Sequence, residues 1–135
     1  MIINWLWKGE TYIDNGHYFG FIYLIKDNIN NKMYIGEKSL TTTPHWTKYK
    51  SSNKRLKSLI TKDTINDFEF HILALVTDKS IMKYLEAKFI LQFGCLESDN
   101  FYNANVNIHT MCKVKDYSNR VNINHQCISD NLIYT

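Results

Sequence analysis

The stretch "GFIYLIKDNINNKMYIG", residues 20 to 36, constrains the fold more than any other part of the chain. "FIYLIK" is apolar and β-branched and reads as a strand; "KMYIG" reads as a second. The polar "DNINN" between them has the Asp and Asn residues that close turns. The two arms are therefore predicted to form a β-hairpin. If its loop is residues 27–30, Lys26 pairs with Asn31 and Tyr23 stands opposite Tyr34. Their Cβ atoms would lie about 5 Å apart on one face. A one-residue slip would put the rings on opposite faces. Such a pair is either ordinary aromatic core, for which tyrosine is well suited, or part of a site.

The remaining pattern is shorter-ranged. Residues 1–19 are aromatic but irregular and read as an N-terminal extension with one short strand. "EKSLTTTPHWTKYKSS" has no clear period and reads as a loop anchored by Trp46. Leu56, Leu59 and Ile60 recur at helical spacing, with Ser51 or Ser52 as the cap. "FEFHILALV" alternates Phe68, Phe70, Ile72, Ala74 and Val76 on one face, a third strand in which His71 is structural. "DKSIMKYLEAKFILQFG" reads as a helix capped by Ser80 and stopped by Gly94. From about residue 106 the chain turns polar and Asn-rich. The order predicts a small α+β layer fold, a three-stranded, mainly antiparallel sheet flanked by helices. The expected organisation is an extension over 1–19, a domain over 20–106, and a polar tail or small appendage over 107–135.

Composition narrows the function classes. At 135 residues and 44% hydrophobic content the chain suits one folded domain. A net charge of +3 permits an anionic partner without requiring one. Fourteen lysines accompany only two arginines, Arg55 and Arg120. No apolar run approaches the roughly 18 residues of a membrane span. Nothing at the N-terminus has the form of a signal peptide. Cys95, Cys112 and Cys127 are odd in number, which suits reduced thiols in a cytoplasm, the host's if a phage encodes the chain.

Glu86 is the residue that raises a site above an aromatic pair. Met82, Phe89 and Ile90 surround it at i−4, i+3 and i+4, so its row on the helix is apolar. A carboxylate there is partly desolvated and needs a partner, either a lysine or a divalent cation with oxygen ligands.

With these parts assembled, the chain resembles the GIY-YIG nuclease superfamily, in its phage or mobile-element form. "FIYLI" with Tyr23 and "MYIG" with Tyr34 and Gly36 are similar to the two motifs. "YKSSNKRLKSLI" resembles a Tyr-x-Gly-Ser-Gly-Lys-x-Leu segment, with Ser51 and Asn53 in place of the glycines. "DFEFHIL" looks like the third strand, "YLEAKFILQFG" carries the helical glutamate, and "NFYNANV" the late Tyr-Asn. The resemblance covers about residues 20 to 106. It implies metal-dependent hydrolysis of a DNA phosphodiester, as in homing endonucleases. Tyr23 and Tyr34 match the motif tyrosines, Glu86 the ligand of Mg²⁺ (or Mn²⁺), and Asn103 the active-site asparagine.

The family's phosphate-binding arginine has no clear counterpart. Lys38 is the first choice to replace it, because it follows the second strand on the face of Tyr34 and Gly36. Lys54 and Arg55, with Lys48 and Lys50, are expected to bind nucleic acid, and His45 is a candidate catalytic aid. Lys38 or Lys54 would also hold Tyr23 as a phenolate, since a phenol near its reference pKa of about 10 is a poor base. The expected geometry brings Tyr23, Tyr34, Glu86 and Asn103 to one concave patch. Glu86 on the opposite side of the sheet from both tyrosines would end that reading. The alternative is a GIY-YIG-fold module with weakened catalysis that binds DNA or a host protein. So small a domain needs extra DNA-reading surface from its N-terminal aromatics, its tail, or a second copy in a homodimer.

One further constellation lies in the tail. His109 and Cys112, with His125 and Cys127, offer four borderline ligands for zinc. The tight His125 to Cys127 spacing fits no standard finger, and unrelated residues in a polar tail are the preferred reading.

Overall fold

The computed structural model describes residues 1–108 and 113–132. The hairpin forms from β3 (Gly20–Asp27) and β4 (Lys32–Ser39). Its register is shifted by two residues from the expected one: Asp27 pairs with Lys32, Ile25 with Tyr34, and Tyr23 with Gly36. The loop is therefore residues 28–31. Asp27 explains the shift, because its Oδ1 accepts the backbone N–H groups of Ile29 and Asn30 and its Oδ2 accepts from the Asn30 amide. Asn31 takes the left-handed conformation (φ 53°), which asparagine tolerates and a strand does not. A two-residue shift preserves the face, so Tyr23 and Tyr34 remain on one side but meet diagonally, with ring centroids 6.1 Å apart.

The sheet has six strands rather than three. Two short strands, β1 (Leu6–Trp7) and β2 (Glu10–Thr11), come from the N-terminal nineteen residues. β5 (Phe68–Val76) lies beside β3, and the order is β2-β1-β5-β3-β4. β1 pairs parallel with β5 at His71; the other pairings between these strands are antiparallel, and Met33 of β4 makes an isolated parallel bridge to Phe101. β6 (Val121–Ile123) pairs with the end of β5. Thus β4 is an edge strand, a fact on which the site depends.

β5 does not keep one face. Its register against β3 shifts between Ile22 and Tyr23, opposite Ala74 and Ile72, which leaves Leu73 as the extra residue of a bulge. Phe68, Phe70 and Ile72 consequently pack on the tyrosine side, whereas Ala74 and Val76 pack on the other. Trp5, fully buried, forms the centre of the tyrosine-side core. It contacts Phe21, Tyr23 and Phe70, and its indole N–H donates to the Trp46 carbonyl at 2.9 Å.

The other face carries the helix α2 (Lys79–Gln92), which buries Ile81, Met82, Leu85 and Phe89 against Ile22, Leu24 and Ile35. Its N-cap is Asp78, not Ser80: Asp78 Oδ1 accepts the Ile81 N–H. The Arg120 guanidinium grips the same carboxylate in two places and holds it well below the usual range. Gly94 ends the helix with φ 64°, as expected for its stop. The short helix α1 (Lys54–Leu59) is capped by Asn53 rather than Ser51 or Ser52. Beyond residue 112, α3 (Tyr117–Arg120) leads into β6, and α4 (His125–Asn131) adds Cys127 and Ile128 to the helix-side core. Among the described residues, no helix is long and apolar enough to cross a membrane.

Candidate active site

The outer edge of β4 is partly closed by residues 100–103. Met33 N–H donates to the Asn100 carbonyl and Tyr102 N–H to the Met33 carbonyl, both at 2.8 Å. The next outward-facing pair on β4 belongs to Ile35, and the Asn103 side chain takes both. Its Oδ1 accepts the Ile35 N–H at 3.0 Å and its Nδ2 donates to the Ile35 carbonyl at 2.9 Å. The Asn103 amide thus stands in for one residue of a neighbouring strand. Asn103→Ala should cost about 1–3 kcal/mol, because two buried backbone groups lose their partners. A denaturant melt checks this; an unchanged midpoint would mean that water replaces the amide.

Where the edge opens, a cleft of about 440 Å³ lies between β4, the start of α1, α2 and the irregular segment following Tyr102. Tyr34, Glu37, Tyr49, Lys54, Lys83, Glu86 and Asn103 are on its wall. α2 packs against the sheet face opposite Tyr23 and Tyr34. Glu86 thus springs from the side of the sheet opposite both tyrosines, the placement expected to end the nuclease reading. That criterion overlooked the edge: β4 is the last strand, so Tyr34 from one face and Glu37 and Glu86 from the other line the same cleft. The Tyr34 hydroxyl is 3.1 Å from Ser52 Oγ. Glu86 has no hydrogen-bond or ion-pair partner among the described residues, and burial, with Glu37 nearby, pushes its carboxyl up to about 7. Lys83, one turn before Glu86, pairs with Glu37.

Tyr23 is not on the wall. It lies fully buried beneath it, with its hydroxyl 3.3 Å from that of Tyr49 and its ring against Gly36. Burial, followed by the nearby Tyr49 and Tyr34, holds its phenol well above the ordinary range, so it stays protonated. The expected lysine-stabilised phenolate is therefore not what this geometry provides. Lys38 is also buried, donates to the Thr42 carbonyl and hydroxyl, and places its ammonium 4.9 Å from the centre of the Tyr49 ring. Of the two lysines weighed against each other in the sequence, Lys54 is the one on the cleft wall.

The other candidates lie further out. His45 is exposed and caps the short 3₁₀ turn Trp46–Lys48 through Nδ1. Lys50 donates to the Ile60 carbonyl, Lys48 is exposed, and the Arg55 guanidinium lies over the Tyr102 ring. Tyr49, Glu37 and Lys83 were missed as site residues. Tyr49 begins the quoted "YKSSNK" segment, so its motif position was available. Glu37 and Lys83 carried no signal, because only the fold brings β4 and α2 together. Ser51, standing where the motif has glycine, keeps a positive φ of 140° that glycine accommodates better. His109 and Cys112 lie outside the described residues. His125 is exposed, whereas Cys127 is buried and contacts the Asn131 amide; among the described residues no three such side chains gather as a metal site.

The family model described as "Putative endonuclease segE, GIY-YIG domain" matches residues 5–106.

The chain belongs to the GIY-YIG nuclease family.

The match begins at Trp5, inside the core built around that residue, and ends just past Asn103. It therefore takes in β1 and β2 as well as the cleft. No curated protein and no solved structure matches the chain.

Proposed function

We propose that this GIY-YIG nuclease is a metal-dependent DNA endonuclease that hydrolyses a phosphodiester in the cleft at the β4 edge. The observation that carries this reading is Glu86: a desolvated carboxylate without an internal partner, facing the same cleft as Tyr34, Tyr49 and Lys54. A hard divalent cation such as Mg²⁺ or Mn²⁺ suits that donor, since such ions take carboxylate oxygens. When bound there, the ion stabilises charge on the phosphate and on the leaving 3′ oxygen.

The chain's own groups do the rest. Lys54 faces the phosphate as a point charge, without the fork of an arginine. Burial raises the phenols of Tyr34 and Tyr49, so both remain protonated at neutral pH. They act as hydrogen-bond donors that orient the phosphate or the attacking water, not as bases. Tyr23 is a positioning residue beneath them. Lys38 supports the Tyr49 ring, and Asn103 holds the β4 edge in place. Lys48, Lys50 and Arg55 are the basic residues that would meet the DNA backbone outside the cleft.

Two measurements test this. Purified protein is incubated with supercoiled, linear and branched DNA, with and without Mg²⁺. Mg²⁺-dependent cleavage is expected; binding without cleavage under every condition would favour the DNA-binding module instead. Lys54→Met is then expected to lower the cleavage rate by about a hundredfold with a much smaller change in DNA affinity, because the charge it faces grows in the transition state. Lys38→Met should lower the rate less. The reverse order at fixed salt would return Lys38 to the phosphate.

A further inference from the structure

We propose that Glu37 is a second protein carboxylate of the divalent-cation site, beside Glu86, and that Lys83 is the counter-ion that occupies this position until the cation binds. The inference rests on reading the cleft as a metal site and deepens it. Glu37 leaves β4 on the face covered by α2, and Lys83 and Glu86, three residues apart, share one face of that helix. All three line the same cleft.

The charges do not balance. Lys83 pairs with Oε1 of Glu37, but Oε2 of Glu37 is buried and has no partner. Glu86 has none either among the described residues. One ammonium therefore serves two carboxylates on one cleft wall. A buried carboxylate oxygen without a donor is unfavourable. A divalent cation between the two side chains would give both carboxylates a partner and neutralise the pair, which releases Lys83 to turn toward the cleft mouth and the substrate phosphate. A purely structural Glu37–Lys83 ion pair leaves Oε2 unexplained.

The test is titration of the full-length protein with Mn²⁺ without DNA, following the electron paramagnetic resonance of the free ion. The wild type should bind one Mn²⁺. Glu86→Gln should lose it, and Glu37→Gln should bind about tenfold more weakly or worse, since affinity follows the number of charged ligands. Lys83→Met, which keeps both carboxylates and removes their competitor, should bind at least as tightly as the wild type. This variant keeps the question open to measurement if Glu37→Gln does not fold, as judged by circular dichroism. Wild-type Mn²⁺ affinity in Glu37→Gln, with binding lost in Glu86→Gln, overturns the role of Glu37 and leaves the single-glutamate site standing. Weaker binding by Lys83→Met also overturns it. Mn²⁺ binding by none of the forms overturns the metal site itself.

Discussion

Glu86→Gln is expected to remove cleavage and, at pH 8, to make the metal-free protein more stable. The substitution preserves shape and takes away a charge. Folded Glu86 holds its proton up to about pH 7, whereas an ordinary glutamate releases it near 4.5. Between these values the folded state binds the extra proton, so stability falls as pH rises from about 4.5 through 7 and the loss is complete above that. The causes are burial first and the Glu37 carboxylate second, opposed by Lys83; Tyr34 and Tyr49 also face the group. Gln cannot carry the charge, so the variant should gain about 1–3 kcal/mol at pH 8 and nothing near pH 4.5. Paired thermal melts at the two pH values check the stability, and plasmid nicking checks the function. A variant that cuts at the wild-type rate would show that Glu86 holds no metal. One that is less stable at pH 8 would show that its carboxylate is well solvated.

Gly36→Ala should be strongly destabilising. A Cβ at this position would stand 2.4 Å from the Tyr23 hydroxyl and 2.5 Å from Cζ of its ring. That ring is rigid and fully buried, and it is packed against Trp5, Tyr34 and Tyr49, so it cannot yield by rotating about one bond. Overpacking of this kind costs about 3 kcal/mol. Displacing Tyr23 also displaces Tyr49 and Tyr34 above it, so cleavage falls with stability. Tyr23→Phe should not rescue the variant, because the ring carbon remains in the way. Urea melts of the single and double variants decide the point; a Gly36→Ala protein with the wild-type midpoint would mean that the ring has another place to go.

The glycine of "YIG" thus has a physical reason that the expected register concealed. Pairing Tyr23 with Tyr34 made the two rings partners and left Gly36 without a role. The observed pairing puts Tyr23 across from Gly36, so the absent side chain is the space the ring fills. The cue was Asp27, read as the first loop residue when its carboxylate in fact closes the loop from the last strand position. That carboxylate also accepts the Tyr102 hydroxyl at 2.5 Å, a contact 75 residues away in sequence.

Local sequence determined the parts whose physics is local. The hairpin followed from two β-branched arms around a polar turn, and helix α2 from its apolar period and Gly94. The shared face of Tyr23 and Tyr34 survived the two-residue shift because side chains alternate with period two. The motif order also named the family, and with it Tyr34, Glu86 and Asn103, which line one cleft with Lys54. Tertiary structure decided the rest, because each remaining feature is a meeting of distant segments. The aromatic N-terminus had no period, yet Trp5 is buried among Phe21, Tyr23 and Phe70; β5 changed face at a bulge that no alternation could signal. Lys38 had the right face but spends its ammonium on Thr42 and the Tyr49 ring. Glu37, Lys83 and Glu86 come together only because β4 is the edge of the sheet and α2 lies beside it, so side chains from opposite faces converge where the sheet ends.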